Sequence, residues 1–333
     1  MKIWVNKLII YLYVFVLTLA AIGSLDADSK VNNTERDKSY QMFIKNEALK
    51  KAGFQNLDSP NFKLLFCGNY CYILNITDRI VARFYNGKPD RAYQAYGQGV
   101  GEFLYPRSLF LIDQETIAIH DVGKSAIICL DPTLNYKDEI DVDRAVQNLT
   151  RIGKGNIAFG NFGHLSFVLL DKKFEKFESL YKIPESKDVN NMPDSLLYKG
   201  YLIDGNEIAY TNRIYFDAEC HLNIISLDTR RIRISLKWKH PHPPKTKTAL
   251  DKNNVYSYYI GKHGNTYVIQ NLYSRLLKGK EIGEILFFDE MGNLVSRKTS
   301  PFKIIDNYNK DDRLFFLDDE GNIRYSRLNE VLQ

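Results

Sequence analysis

Cysteine is scarce in this chain: four residues in 333, at Cys67, Cys71, Cys129 and Cys220. That excludes a small disulfide-stapled scaffold. Cys67 and Cys71 have no second pair to complete a metal motif. Neither sign of charge dominates, since 45 basic and 40 acidic residues leave a net charge of +5. No face-wide basic stripe accompanies it, so nucleic acid is not an expected partner. No Gly-x-Ser-x-Gly elbow occurs, and none of the six histidines sits in a triad context. His120-Asp121 reads as a turn-capping carboxylate beside an incidental histidine. His240-Pro241-His242-Pro243-Pro244 has no acidic or cysteine neighbour until Asp251, and reads as a stiff linker. No cofactor and no metal set are expected.

Long apolar runs are equally scarce. The one candidate is Leu8–Ile22, with Lys2 and Lys7 ahead of it and small residues at Ala21-Ile22-Gly23. This reads as an export signal over residues 1–23, cleaved before Ser24. An uncleaved inner-membrane anchor over residues 8–25 is the competing reading. Residues 24–38 are polar and charged and read as a flexible tether. Export makes disulfides permissible, and Cys67-Gly68-Asn69-Tyr70-Cys71 spans a hairpin turn. A bond between Cys67 and Cys71 is therefore expected, against the alternative of independent buried thiols.

What the sequence does have is aromatic residues suited to strands: 22 Tyr and 19 Phe, within 44% hydrophobic content. The densest local signal is Tyr96-Gly97-Gln98-Gly99-Val100-Gly101-Glu102-Phe103-Leu104-Tyr105-Pro106. Alternate glycines allow tight turning and close backbone approach. Glu102 is placed to accept from nearby backbone N–H groups, and Phe103 is expected to point inward. No helix-periodic segment follows, which excludes a dinucleotide-binding turn. Three short β-rich runs follow at hairpin spacing instead: Ser108–Ile112, Thr116–His120 and Ala126–Leu130. This stretch resembles the inter-blade junction of NHL-type β-propellers. The resemblance extends to Asp121 before a polar turn and an Ile-rich strand, but Lys124 and Ser125 stand where that family usually has Asn and Arg.

The same unit recurs along the chain. Its strongest strand starts near Cys71, Thr116, Asn156, Glu207, Thr266 and Arg313, at intervals of 45, 40, 51, 59 and 47 residues. Such intervals suit four-stranded blades. The expected fold is all-β: a six-bladed β-propeller over residues 39–333, with four-stranded antiparallel blades. The sixth unit is one strand short before the chain ends. Tyr40–Ile44 supplies it, with Tyr40, Met42 and Ile44 at period two on one face. A ring closed by this N-terminal strand leaves no bare edge on the last blade.

The whole pattern resembles exported bacterial NHL-like and TolB-like propellers. That implies a monomeric binding or scaffold module of the bacterial periplasm or cell envelope. The enzymatic comparison is a propeller hydrolase or lactonase holding a divalent metal in its channel, for which Asn156, Asn212 and Asp306 are scattered candidates. The binding reading rests on two insertions between second and third strands, Arg213–His221 and Tyr273–Gly283. They carry Arg213, Tyr215, Phe216, Tyr273 and Arg275, residue types enriched at binding hot spots. Loops on a rigid scaffold are where binding function concentrates. The expected partner is a protein or glycan at the rim around the channel mouth.

Overall fold

The computed structural model describes residues 41–330, apart from 58–61, 153–154, 162–164, 172, 176, 184–197, 205–206, 213–218, 240–254, 274–281, 300–302, 309–312, 319 and 328–329. The expected signal segment and tether lie outside these residues. No helix among the described residues is long and apolar enough to cross a membrane.

The described strands form six four-stranded sheets. Blade one comprises β2 (Phe62–Cys67), β3 (Tyr70–Asn75), β4 (Ile80–Tyr85) and β5 (Lys88–Gln94). Blade two comprises β6 (Pro106–Asp113), β7 (Thr116–Asp121), β8 (Ala126–Leu130) and β9 (Tyr136–Asp141). Blade three runs β10 (Val146–Ile152), β11 (Gly155–Asn161), β12 (Leu165–Leu170) and β13 (Phe177–Lys182). Blade four runs β14 (Tyr198–Asp204), β15 (Glu207–Asn212), β16 (Glu219–Ser226) and β17 (Arg231–Lys239). Blade five runs β18 (Val255–His263), β19 (Thr266–Tyr273), β20 (Ile282–Phe288) and β21 (Leu294–Thr299). Blade six has β22 (Lys303–Tyr308), β23 (Arg313–Leu317) and β24 (Ile323–Arg327), with β1 (Gln41–Ile44) beside β24.

The first strands touch in cyclic order, β2 to β6, β10, β14, β18, β22 and back to β2. They are therefore the inner strands of a closed ring, and the fourth strands are the outer ones. Composition follows this radial order. β7 (Thr-Ile-Ala-Ile-His-Asp) and β8 (Ala-Ile-Ile-Cys-Leu) are buried throughout, because neighbouring blades cover both their faces. The outer strands β5, β9 and β21 are polar and mostly exposed.

Each sheet sends its two faces into different inter-blade cores. Tyr72, Leu74 and Val81 pack with Ile117, Ile119 and Ile128 between blades one and two. Phe110, Ala118, Ile127 and Cys129 pack with Val146, Leu149, Ala158 and Val168 between blades two and three. Full burial of one such aliphatic side chain is worth about 1.5–3 kcal/mol, so each interface is a substantial fraction of the fold's stability.

The hairpin β2–β3 corrects the expected disulfide. Its register pairs Cys67 with Tyr70 and Cys71 with Phe66. Directly paired residues share a face and successive residues alternate, so Cys67 and Cys71 lie on opposite faces of the sheet. Cys71 enters the core toward blade six, Cys67 packs against the core toward blade two, and no disulfide joins them.

The N-terminal strand packs differently from its expected alternation. Ile44 is fully buried, but Met42 is exposed. Phe43 carries the contact instead, with its ring 5.1 Å from Phe315, 6.1 Å from Tyr325 and 5.9 Å from Phe66. It thus bridges blades six and one. A short helix not anticipated from the sequence, α1 (Asn46–Lys51), follows β1 and buries Leu49. Its first backbone N–H is satisfied from blade six, where Asn322 Oδ1 accepts from Asn46 N at 2.9 Å.

Candidate functional site

Strand direction alternates within each blade. Connections from one blade to the next and turns between second and third strands therefore emerge at the same end of the ring. This is the rim expected to bind. Of the nominated residues, Arg213, Tyr215, Phe216 and Arg275 lie outside the described residues. Tyr273 closes β19, opposite Val255 and Ile282 in the register.

The best-defined part of this rim is the connection from β5 to β6. Gly101 has φ +77°, and a Cβ there would lie 2.9 Å from both the Tyr136 ring and the Tyr93 hydroxyl, so only glycine fits without displacement. Gly99 N donates to Glu102 Oε2 at 2.7 Å, and Gly101 N donates to Glu139 Oε2 at 2.9 Å. Tyr93 Oη donates to the Gly101 carbonyl at 2.8 Å. Burial, aided by Tyr136, Glu139 and Glu102, raises the pKa of that phenol and keeps it a donor.

Lys124 fills the place where the resembling family has a different residue, and it has a structural task. Its Nζ donates to the carbonyls of Gly99 at 2.8 Å and Glu102 at 3.3 Å, and pairs with Glu139 at 2.7 Å. Phe103 is fully buried, and Tyr96 and Phe103 form an isolated parallel bridge. Buried Asp121 anchors the end of the connection. Its carboxylate accepts from Leu104 N at 2.7 Å, Tyr105 N at 2.9 Å and Lys124 N at 3.1 Å. Asp78, in the β3–β4 turn, does the same for the preceding connection, accepting from Gln55 N at 2.7 Å and Asn56 N at 3.0 Å. In these two turns a carboxylate thus pins the chain that leads into the blade.

Large side chains stand outward on this pinned backbone. Val100 is 79% exposed, Tyr96 64% and Tyr105 45%. The Arg79 guanidinium lies over the Tyr96 ring at 4.1 Å, and that of Arg107 over Tyr105 at 4.3 Å. Arg107 occupies a β-bulge, since Pro106 pairs with Asp121 and Ser108 with His120. A bulge at a rim re-aims its side chain, and here that side chain meets Tyr105. Tyr96 and Tyr105 flank the glycine run in the sequence, which was the available signal. Their arginine partners come from a separate turn and from the bulge, which pattern alone does not show.

Other nominated chemistry disperses. Asp121 spends its carboxylate on backbone N–H groups, while His120 is wholly buried with neither ring nitrogen hydrogen-bonded. They are not an acid–base pair. Asn156 pairs near the start of β11 and Asn212 at the end of β15, which puts them toward opposite rims. Among the described residues, no three His, Cys, Asp or Glu side chains are grouped to hold a metal.

Residues 64–294 match the family model DUF5128, a 6-bladed beta-propeller. The chain belongs to that family. No curated protein matches it. The DUF5128 propeller is similar in fold to a candidate exported protein of Bacteroides fragilis NCTC 9343, at 10% identity and a TM-score of 0.54, covering 86% of this chain and 93% of that one. It is also similar to a DUF4221 family member from Bacteroides vulgatus ATCC 8482, at 8% identity and a TM-score of 0.53, covering 87% and 94%. At these identities the likeness is one of architecture, and the DUF5128 rim must be read from its own residues.

Proposed function

We propose that this propeller is an exported binding module of the bacterial cell envelope, and that the rim carrying the β5–β6 connection receives its partner. One observation carries the reading: exposed Tyr96, Val100 and Tyr105, two of them with an arginine over the ring, stand on a backbone fixed by hydrogen bonds to the Asp121 carboxylate. Tyr and Arg are the residue types that dominate binding energy at interfaces. The insertions nominated from the sequence, with Arg213, Tyr215, Phe216, Tyr273 and Arg275, would extend the surface. Similarity in fold to a candidate exported protein supports placement outside the cytoplasm.

The test is site-specific photo-crosslinking in cells. A benzoylphenylalanine at Val100 is compared with one at Thr133, which lies in the β8–β9 turn at the opposite rim. Adducts at position 100 and none at 133 are the expected result. Adducts only at 133, or at neither position, would overturn the assignment of the rim.

A further inference from the structure

We infer that copies of this chain dock head to tail, the acidic outer edge of blade two in one copy against the basic outer edge of blade four in another. This contact is independent of the rim, and it replaces the monomer that the family resemblance implies. β9 ends the sheet of blade two and β17 ends that of blade four, so each turns a row of backbone N–H and C=O groups outward with no paired strand beyond it among the described strands. The two edges are opposite in charge. β17, Arg-Ile-Arg-Ile-Ser-Leu-Lys-Trp-Lys, holds four cations, all exposed, and no carboxylate. β9, Tyr-Lys-Asp-Glu-Ile-Asp, holds three carboxylates and one cation, and exposed Asp143 follows it.

The contrast survives a count of every charge, paired or not. From Pro106 to Ala145 the chain has eight acidic and four basic residues, while from Tyr198 to Thr299, blades four and five, it has ten acidic and sixteen basic. Internal pairs stay within their own blades: Arg233 joins Glu207 at 2.6 Å, and Lys137 Nζ turns back to Thr116 Oγ1 at 2.9 Å. Among the described residues, exposed Arg231, Lys237 and Lys239 have no ion pair, and neither have exposed Asp138, Asp141 and Asp143. Charged edges ordinarily keep sheets apart. Here they do so between like edges, since β9 repels β9 and β17 repels β17 across a strand pair. The same charges attract when β9 meets β17. One chain carries both halves of the complementary pair, which makes a second copy the occupant. The two edges lie on different blades, so the contact is heterologous and joins copies into a ring or an open chain.

The test is sedimentation velocity of the purified protein at about 0.01 M and about 1 M salt, where the screening length is about 30 Å and about 3 Å. Expected is a weight-average mass that rises above the monomer with concentration at low salt and returns to the monomer at high salt. Asp138→Lys with Asp141→Lys leaves both edges basic. Arg231→Glu with Lys237→Glu and Lys239→Glu leaves both acidic. Each of these variants alone should therefore stay monomeric at low salt. Mixed in equal amounts they should associate again, because basic edges then meet acidic ones. Unchanged thermal midpoints show that these exposed variants are folded. A parent that is monomeric at both salt concentrations, association that survives either variant, or a mixture that stays monomeric would overturn the inference.

Discussion

His120 gives a quantitative test of the core. Its side chain lies in β7 between Ser108 and Ile127, wholly buried, with neither ring nitrogen hydrogen-bonded. Burial lowers its pKa from 6.5 to about 4, so the ring is neutral at pH 7. The unfolded chain takes up a proton near pH 6.5, while the folded one resists until about pH 4. Between these values the unfolded state binds more protons, so stability falls as pH falls. The gap between these two values corresponds to about 3 kcal/mol, lost progressively from near pH 7 to pH 4. Replacing the ring with leucine, His120→Leu, removes both the titration and two unpaired buried polar atoms. Each such atom costs about 1–3 kcal/mol. The variant should therefore be more stable by about 2–6 kcal/mol at pH 7, and its advantage should grow by about 3 kcal/mol at pH 4. Urea unfolding followed by Trp238 fluorescence at both pH values measures the difference. Background titration of other groups cancels when the two proteins are compared. An equal difference at both pH values would refute the titration argument. A variant less stable than the parent at pH 7 would refute the claim that the ring has no partner.

Asp121→Asn should cost about 2 kcal/mol, since charged acceptance from Leu104, Tyr105 and Lys124 N–H groups is weakened, and should speed amide hydrogen exchange over residues 97–105. Exchange confined to global unfolding in both proteins would count against the pin. Ile44→Ala should cost about 3 kcal/mol by chemical denaturation, while Met42→Ala, at an exposed position of β1, stays within about 0.5 kcal/mol. Similar losses from the two would contradict the packing of this strand. Purified oxidised protein, unfolded without reductant, should titrate as four free thiols with Ellman's reagent. Two thiols would restore the Cys67–Cys71 bond that the register forbids.

Blade number and strand order were legible because the repeat is written in burial. Second strands start at Tyr70, Thr116, Gly155, Glu207, Thr266 and Arg313, within one residue of the positions marked by apolar density. The inward role of Phe103 and the carboxylate role of Glu102 were legible too, since glycine spacing and a following Glu-Phe dictate them locally. The Cys67–Cys71 relation was misread for a physical reason. Hairpin spacing brings two cysteines close in sequence, but a two-residue turn pairs Cys67 with Tyr70 and turns Cys71 to the other face. The alternation in β1 failed similarly, because Phe43 packs against two blades at once and no period-two pattern encodes a second neighbour. Helix α1 has six residues, too few for a periodic signal, and is held by Asn322, which lies 276 residues away in sequence. The arginine–tyrosine pairs were illegible because Arg79 reaches Tyr96 from a different turn.

The inter-blade locks bear directly on what the rim can do. A loop of glycines is ordinarily expensive to order on binding. Here Gly99 and Gly101 are held before any partner arrives, through Glu102, Glu139 and Lys124, and the chain beyond them through Asp121. Lys124 is decisive in this arrangement. It is an almost buried ammonium, with a side chain 8% exposed, and it joins two carbonyls of the connection to an outer-strand carboxylate. A neutral residue there would leave Glu139 without its cation and Gly99 and Glu102 without a donor, so the connection would loosen and Tyr96 and Tyr105 would lose their fixed spacing. Lys124→Met should therefore reduce partner crosslinking at position 100 without Lys124 touching the partner, chiefly by slowing association as the rim samples more conformations. Restored binding in Lys124→Arg, which keeps charge and reach, would support positioning. Equal loss in both variants would mean that Lys124 contacts the partner itself.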